Sequence, residues 1–283
     1  MLTETDLKTF REYFPGDPHP FISPRFIELN RQKTEEIVYL IEAESDITVG
    51  MIAGIKGGVL RSPFSAPFGG FHFRKENLYI GELDKFNNSI KDYIRNRGLE
   101  KAEIIIPPDL YHPTFNAKTI NSLIRTGFHT SIPEITNWID LDGFTGSFTQ
   151  KNSREYYRQA ERHKLLFGIA EDEDEKSMVY ELIRENRVRF GRPIYMTLND
   201  IMEVQRLWPV DFFKVLTPER KLVASGIFYR FHPQICYAVF WGDNEAGRPL
   251  RAMDFLSLNV WRYYKEMGYK YIDLGISTES GIP

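Results

Sequence analysis

Residues Tyr237 to Gly275 read YAVFWGDNEAGRPLRAMDFLSLNVWRYYKEMGYKYIDLG, and this stretch decides the fold. It begins as a β-prone apolar run, turns at Gly242-Asp243-Asn244 and continues as a helix whose first residue is predicted to be Pro249. The helix is predicted to stop at Gly268, before a second strand at Tyr269–Asp273. This order puts a loop and a helix N-terminus at the C-terminal edge of a sheet, where backbone N–H groups can hold an anion such as a phosphate.

The composition around this stretch is that of an ordinary globular protein. The chain has 283 residues, of which 42% are hydrophobic and 27% charged, enough for one large domain or two of usual size. A formal net charge of −3 argues against a protein that mainly coats nucleic acid, and DNA is not an expected partner. The apolar runs are shorter than the roughly 20 residues of a membrane span, and the N-terminus is unlike a signal peptide. The sequence therefore predicts a cytoplasmic protein without a membrane span.

Cysteine and histidine usage gives no support to metal chemistry. The single cysteine, Cys236, lies in an apolar run, which favours a buried structural thiol over a nucleophile. The six histidines are scattered, and none pairs with another at the spacing of metal ligands. We therefore expect no metal cofactor.

The two halves of the chain repeat one order of elements. YIRNRGLEKAEI at Tyr93–Ile104 aligns with YYKEMGYKYIDL at Tyr263–Leu274, and ITVGMIAGI at Ile47–Ile55 aligns with KLVASGIFY at Lys221–Tyr229. The repeat predicts two copies of one α/β domain, residues 1–145 and 146–283, joined at the segment DGFTGSFTQK.

Helices and strands are predicted to alternate in both copies. The predicted helices are Leu2–Phe14, Leu78–Arg97, Asn116–Thr126, Ser153–Lys164, Ser177–Phe190 and Leu198–Trp208. The predicted strands are Ile37–Ile41, Thr48–Ile55, Ala102–Ile106, Ile135–Leu141, Phe167–Ala170, Phe212–Leu216 and Leu222–Tyr229. The second copy lacks a counterpart of the helix and strand that Phe115–Leu141 supply to the first copy. We therefore expect an unpaired edge in the second sheet, and a chain that is a fragment or has lost its tail.

Several segments, in this order, resemble the GNAT acyltransferase superfamily and, within it, the tandem FemABX-like branch of peptidoglycan-bridge aminoacyltransferases. They are SREYYRQAERHKLLFGI (153–169), LIRENRVRFGRPIY (182–195), LVASGIFYRF (222–231) and the closing segment from Gly247 to Gly275. The resemblance covers nearly the whole chain. It implies two GNAT-like domains, with the active site in the second and the first serving as a structural domain or a cleft wall.

The resemblance also implies the reaction. An activated donor, either acetyl-CoA or another acyl-CoA, or an aminoacyl-tRNA, would pass its acyl group to a substrate amine. The acceptor would be a small molecule or a cell-wall precursor. A non-catalytic binding module that has lost its phosphate loop is the alternative.

The loop before the last predicted helix departs from the superfamily's phosphate-cradling signature, a Gln or Arg followed after two residues by Gly-x-Gly or Gly-x-Ala. Pro249 has no N–H group and Glu245 would repel an anion, so the departure favours a donor other than CoA. In place of the signature, the loop offers four candidate cofactor-binding residues: Gly247, Arg248, Leu250 and Arg251. Gly247 would allow close approach of the donor, and the two arginines would bind its phosphates.

Two further sets complete the candidate site. Arg154 and Arg158 lie on one stripe of a predicted helix, which is either a solvated face or a grip for a phosphate-bearing substrate. By resemblance, Asn186 and Arg187 lie nearest the substrate. The catalytic candidates for proton transfer are Asp243, Tyr237 and Asp273, although a carboxylate at a strand end is often a structural cap.

Overall fold

The computed structural model describes residues 2–17, 19–42, 47–75, 77–278 and 281–282. The chain divides into two compact units, Met1–Pro133 and Glu134–Pro283. Across the described ranges it forms eight α-helices and two mixed six-stranded sheets, one sheet in each unit. None of the helices in those ranges is both long and apolar enough to cross a membrane.

Within its described residues, the first unit contains four α-helices and six strands. The helices are α1 (Leu7–Tyr13), α2 (Pro24–Leu29), α3 (Ile80–Asn96) and α4 (Pro113–Arg125). The strands are β1 (Leu2–Thr5), β2 (Glu36–Glu42), β3 (Val49–Lys56), β4 (Val59–Ser62), β5 (His72–Phe73) and β6 (Lys101–Ile104). The sheet order is β1-β2-β3-β4-β6 with β5 beside β3, and only β4 and β6 pair in parallel among the described strands of this sheet.

The predicted helix Leu2–Phe14 is wrong in its first part. Leu2–Thr5 is a strand that pairs antiparallel with β2. The helix begins after Asp6, whose carboxylate accepts a hydrogen bond from the Thr9 N–H at 2.7 Å. An aspartate in this position satisfies one of the free N–H groups of a helix N-terminus, which fixes where the helix starts.

The second unit has the same plan. Its helices are α5 (Lys151–Arg162), α6 (Glu173–Arg189), α7 (Leu198–Gln205) and α8 (Ala252–Glu266). Its strands are β7 (Thr136–Asp140), β8 (Leu166–Ile169), β9 (Val210–Leu216), β10 (Leu222–Tyr229), β11 (Ile235–Asp243) and β12 (Tyr271–Ile276), in the sheet order β7-β12-β11-β10-β9-β8. β11 and β12 pair in parallel, as β4 and β6 do in the first unit.

The far edge of the second sheet is covered, contrary to the expectation of an unpaired edge. β7 pairs antiparallel with β12, with Trp138 opposite Asp273. Its position before the predicted linker assigns this strand to the first domain, but its hydrogen bonds join it to the second sheet. The unit boundary accordingly falls before residue 134. The described residues after Ile276 form no further helix or strand.

The two faces of the second sheet pack against different helices. On the α6 face, Ser225 Oγ donates a hydrogen bond to the carbonyl oxygen of Val179 in α6 at 3.0 Å. On the α8 face, the ring of Phe228 packs against Tyr264 of α8, within a core that also includes Leu256 and Ile272. Because side chains alternate along a strand, these contacts assign the neighbouring residues of β10, β11 and β12 to one face or the other.

Candidate active site

β11 and β12 pair only near their first residues. Their parallel register runs from Ile235 opposite Tyr271 to Tyr237 opposite Asp273. β11 nevertheless continues to Asp243, and β12 to Ile276, without further pairing between them in the ranges described. The two strands therefore part after Tyr237, and we refer to the gap that follows as the β11–β12 opening.

A β-bulge lies at the start of this opening. In the antiparallel pairing of β10 with β11, Phe228 is opposite Ala238 and Ile227 is opposite Phe240, so Val239 is an extra residue. A bulge takes one residue out of the regular ladder and turns the local backbone. The bulge thus changes the direction of the β11 backbone where the strands separate.

Three residues on adjacent strands form a row on the α6 face beside the opening. Tyr237 of β11 is in register with Asp273 of β12, which is in register with Trp138 of β7. The first two are nearly buried, at 8% and 1% exposure, whereas Trp138 is 44% exposed. Trp138 therefore presents an accessible aromatic surface next to the two predicted catalytic residues.

Tyr237 and Asp273 both meet the backbone of Gly275. The carboxylate of Asp273 accepts a hydrogen bond from the Gly275 N–H at 2.8 Å. Gly275 has a φ of 72°, and a Cβ added to it would lie 3.2 Å from the Tyr237 hydroxyl oxygen. Burial, and next the charge of Asp273, raise the pKa of Tyr237, so this phenol stays protonated at neutral pH and can act as a proton donor. Asp273 is a buried cap of the β12 backbone.

Asp243 lies in an ion-paired cluster at the end of β11. Asn186 Nδ2 donates to the carbonyl oxygen of Asp243 at 2.6 Å, and Arg189 Nη2 to the same oxygen at 3.1 Å. The Asp243 carboxylate lies 3.4 Å from Arg189 Nη2 and 3.8 Å from Arg248 Nε. A Cβ at Gly242 would collide with Asn186 Cγ at 2.7 Å, so this glycine allows the close approach. These contacts fasten the end of α6 to the end of β11.

Arg187 extends towards the part of β11 that has no β12 partner. Its guanidinium carbon lies 5.9 Å from the ring centre of Phe240, and its Nε is buried without a hydrogen bond within the described ranges. Burial, and next the charge of Arg192, lower the pKa of Arg187, yet a guanidinium remains protonated in proteins. The arrangement brings a poorly compensated positive charge to the α6 face of the opening.

The loop before α8 uses its N–H groups internally. The Gly247 N–H donates to Asn244 Oδ1 at 2.9 Å, the Leu250 N–H to Gly247 at 3.2 Å, and the Arg251 N–H to Arg248 at 3.1 Å. Helix α8 begins at Ala252, and not at Pro249 as predicted, because residues 245–251 form turns that end with Arg251 at a φ of 57°. The predicted phosphate loop therefore offers few free donors.

Gly247 is required by packing. A Cβ at this position would lie 2.2 Å from the carbonyl oxygen of Val223 in β10. The loop is held at this distance by Asn244, whose N–H donates to Val223 at 3.2 Å and whose Nδ2 donates to Leu222 at 2.9 Å. Gly247, which is predicted to let a phosphate approach closely, instead lets the loop approach β10.

The predicted pair Arg248 and Arg251 is not brought together. Arg248 stacks on Phe190 at the end of α6, with its guanidinium carbon 4.9 Å from the ring centre. Arg251 stacks on Tyr156 of α5 at 3.8 Å. Since α5 packs with α8 in the core on the α8 face, the two arginines point to opposite sides of the sheet.

The predicted substrate-binding residues are likewise divided between two helices. Asn186 and Arg187 lie on α6, next to the opening. Arg154 and Arg158 lie on α5, where Arg154 donates to the carbonyl oxygen of Phe148 at 3.2 Å and the 65% exposed Arg158 is 3.7 Å from Glu155. Arg154 is thus bonded to the backbone that precedes α5, and Arg158 lies in an exposed ion pair.

In the first unit, the chain itself crosses the corresponding gap. The parallel pairing of β4 and β6 ends at Ser62 opposite Ile104. Just beyond it, the Gly69 N–H donates to Ile105 at 2.8 Å, and a Cβ at Gly69 would lie 2.4 Å from the nitrogen of Pro63. The segment 63–71 therefore occupies the place that stays open in the second unit.

Comparisons with known proteins identify the fold. No family profile matches the chain, and no curated protein does. Among solved structures, FemX superimposes with a TM-score of 0.62 at 9% identity, covering 97% of this chain and 88% of its own. L-PGS from Bacillus licheniformis gives 0.57 at 15% identity, with 95% and 74% covered.

A third solved structure is the C-terminal domain of a putative lysylphosphatidylglycerol synthetase from Agrobacterium fabrum. It superimposes with a TM-score of 0.56 at 14% identity, covering 90% of this chain and 73% of its own. At identities this low, a structural match supports a shared fold but not a shared activity. The chain therefore has a mixed α/β fold like that of FemX, with two compact units in tandem.

Proposed function

We propose that the chain transfers an acyl or aminoacyl group from an activated donor to a substrate amine at the β11–β12 opening. The observation that carries the proposal is the end of β11–β12 pairing at Tyr237, followed directly by the bulge at Val239. A donor carbonyl placed in the opening lies against backbone that is free of a β12 partner, and a backbone N–H there polarises the carbonyl.

The side chains on the α6 face supply proton transfer. The amine attacks the carbonyl carbon, a C–N bond forms, and the bond from that carbon to the donor's leaving atom breaks. Tyr237 gives its phenolic proton to the leaving atom and takes one from the attached ammonium, so the phenol is regenerated. Its raised pKa keeps it protonated until the leaving group needs the proton. Asp273 and Asp243 position the backbone and are not the base.

We further propose that the donor is an aminoacyl ester of tRNA. The N–H groups of Gly247, Leu250 and Arg251 are committed to acceptors within their own loop, which argues against a cradle for the pyrophosphate of CoA. Arg187, in contrast, has a buried Nε next to the opening, and no acceptor for its N–H lies within hydrogen-bond reach among the residues that the structure describes. A guanidinium in that state favours a phosphate partner such as the 3′ end of a tRNA. The acceptor class follows the resemblance: an amine on a small molecule or a cell-wall precursor.

A direct transfer assay tests the reaction. Bulk tRNA charged with labelled amino acids is incubated with the protein and with soluble cell-wall precursors that carry a free amine. Mild base then hydrolyses the remaining ester, so label that stays bound reports a new amide. We expect such label, and no label when acetyl-CoA replaces the charged tRNA. Acetyl transfer without aminoacyl transfer would assign a CoA donor.

A binding assay tests the role of Arg187 independently of the acceptor. The ligand is an acceptor-stem minihelix that carries an amide-linked amino acid, followed by fluorescence anisotropy. Arg187→Ala should weaken binding at least tenfold, since a charged hydrogen bond contributes about 1.5–3 kcal/mol. Arg158→Ala removes an equal charge from α5 and should change binding less than twofold. Equal effects of both variants would contradict the proposal, and tight binding without any transfer would indicate a binding module.

A further inference from the structure

Strand β6 is an edge of the first sheet. Among the described residues it pairs only with β4, and it ends the strand order β1-β2-β3-β4-β6. The side chains of Lys101 and Glu103 on this strand are 52% and 41% exposed, and Ile105, which follows it, is 49% exposed. An edge strand presents backbone N–H and C=O groups that can pair with a strand of another chain. β6 is therefore a candidate interaction surface.

The bonds on the inner side of β6 show which backbone groups point outward. The Ile105 N–H donates to the carbonyl oxygen of Ser62 at 2.9 Å, and the Ile105 carbonyl oxygen accepts from the Gly69 N–H at 2.8 Å. Both groups of Ile105 thus point towards the rest of the sheet. Because the direction of these groups alternates along a strand, the N–H and C=O groups of Ile104 and Ala102 point outward.

The second unit shows what this kind of edge accepts. There β12 corresponds to β6, since each pairs in parallel with the preceding strand of its sheet and each follows a long helix. The outer edge of β12 pairs antiparallel with β7, with Ile272 opposite Ile139. In the first unit, no strand of the described ranges takes the position of β7. The sheet can therefore accept an antiparallel strand beside β6.

The charges of β6 are complementary to those of a second copy of the same strand. Lys101 Nζ lies 2.7 Å from Glu103 Oε1, and Arg61 Nε of β4 lies 2.8 Å from Glu103 Oε2. Lys101 and Glu103 are two residues apart, so their side chains lie on the same face of the sheet. If two β6 strands pair antiparallel around Ala102, Lys101 of each copy lies opposite Glu103 of the other. Opposite charges in this position stabilise strand pairing, whereas like charges on an edge strand prevent it.

We propose that two copies of the chain join their first sheets by antiparallel pairing of β6, with a two-fold axis at Ala102. The Ala102 N–H of each copy donates to the Ala102 carbonyl oxygen of the other. Glu103 of each copy lies between Arg61 of its own chain and Lys101 of the other. A two-fold interface requires such a self-complementary surface. The interface belongs to the first unit, and it does not depend on transfer at the β11–β12 opening.

Charge reversal tests the register of the pairing. In sedimentation velocity over a wide range of concentration, the full chain should form dimers. Lys101→Glu and Glu103→Lys should each weaken dimerisation about tenfold or more, because each variant places two pairs of like charges across the axis. An equimolar mixture of the two variants should form a mixed dimer, because every charge then lies opposite one of the other sign. Asp92→Lys, which reverses a charge in an exposed ion pair on α3, should change dimerisation less than about twofold.

A backbone variant tests the hydrogen bonds across the axis. Ala102→Pro removes the outward N–H without removing a bond to β4, and edge strands tolerate such a proline. Folded Ala102→Pro protein should be monomeric, and if this variant does not fold, the mixed dimer decides the question.

Four results would overturn the proposal. They are a wild-type chain that stays monomeric at its solubility limit, an Asp92→Lys variant that behaves like the two β6 variants, a mixture that forms no mixed dimer, and folded Ala102→Pro protein that still dimerises. A monomeric wild-type chain would leave the edge to solvent or to a strand of a different protein. None of these readouts requires transferase activity.

Discussion

Replacing Gly247 with alanine should destabilise the second unit, whatever the donor is. The new Cβ would lie 2.2 Å from the carbonyl oxygen of Val223, so the loop must withdraw by about 1 Å to reach a normal contact. Withdrawal breaks the two hydrogen bonds by which Asn244 holds the loop to β10. At about 1 kcal/mol for each bond, and up to about 1 more for each acceptor left buried, the loss is about 2–4 kcal/mol.

Urea unfolding followed by tryptophan fluorescence measures this loss. The four tryptophans of the chain, Trp138, Trp208, Trp241 and Trp261, all lie in the second unit, so the signal reports that unit. With a slope of about 2 kcal/mol per molar urea, the midpoint should fall by about 1–2 M.

Gly168→Ala is the matched control for this experiment. The nearest atom to its added Cβ is Lys214 Cε at 3.4 Å, on a flexible side chain, so the midpoint should change by less than about 0.5 M. A wild-type midpoint for Gly247→Ala would refute the packing argument and return this glycine to a role in approaching a phosphate.

Three further predictions concern the site and the buried histidines. Tyr237→Phe should slow transfer about a hundredfold while changing minihelix affinity less than twofold, and a wild-type rate would remove the phenol from the mechanism. Trp138→Ala should raise the acceptor KM with little change in the urea midpoint, because the indole is 44% exposed; an unchanged KM would place the acceptor elsewhere. The first unit should lose stability as the pH falls below about 6.5, because burial lowers the pKa of both His19 and His72, so the unfolded chain binds protons that the folded chain does not. The free energy of unfolding should fall by up to about 1.4 kcal/mol per pH unit for each ring. Urea titrations at pH 7.0 and 5.0, followed through histidine ring signals, should therefore show a lower unfolding midpoint at pH 5.0.

Local sequence patterns were sufficient to predict most elements of the second unit. β10 begins at Leu222 and ends at Tyr229 as predicted, and α8 ends within a few residues of Gly268. Apolar periodicity, caps and glycine stops act over a few residues, so they can be read without knowing the tertiary structure. The order of these elements was also enough to predict the tandem fold.

The partner of β7 could not be predicted in the same way. The residues of Thr136–Asp140 indicate a strand, but nothing in them shows which sheet it joins. Because β7 is assigned to the wrong sheet, Trp138 is absent from the predicted site; its neighbour Asp273 is distant in sequence. The bulge at Val239 was missed for a similar reason, since it exists only in the register of two strands.

The candidate phosphate loop shows a different limit of sequence reasoning. Arg248 and Arg251 are three residues apart, which suggests one binding face on a helix. The left-handed conformation of Arg251 instead turns the chain between them. The internal hydrogen bonds of the loop, which decide its chemistry, depend on Asn244, a residue that the sequence pattern gave no reason to single out.

The pairing of β7 also bears on the order in which the protein folds during synthesis. The Ile135 N–H is bonded to Thr278 across 143 residues of chain, so this edge closes one of the longest loops in the molecule. Contacts of such high sequence separation form slowly, because the entropy of loop closure must be overcome first. The strand leaves the ribosome before every other element of its sheet and pairs after most of them. Until β12 is made, the exposed indole of Trp138 and the unpaired backbone of β7 are available to other chains. The newly made protein is therefore most prone to aggregate in this interval.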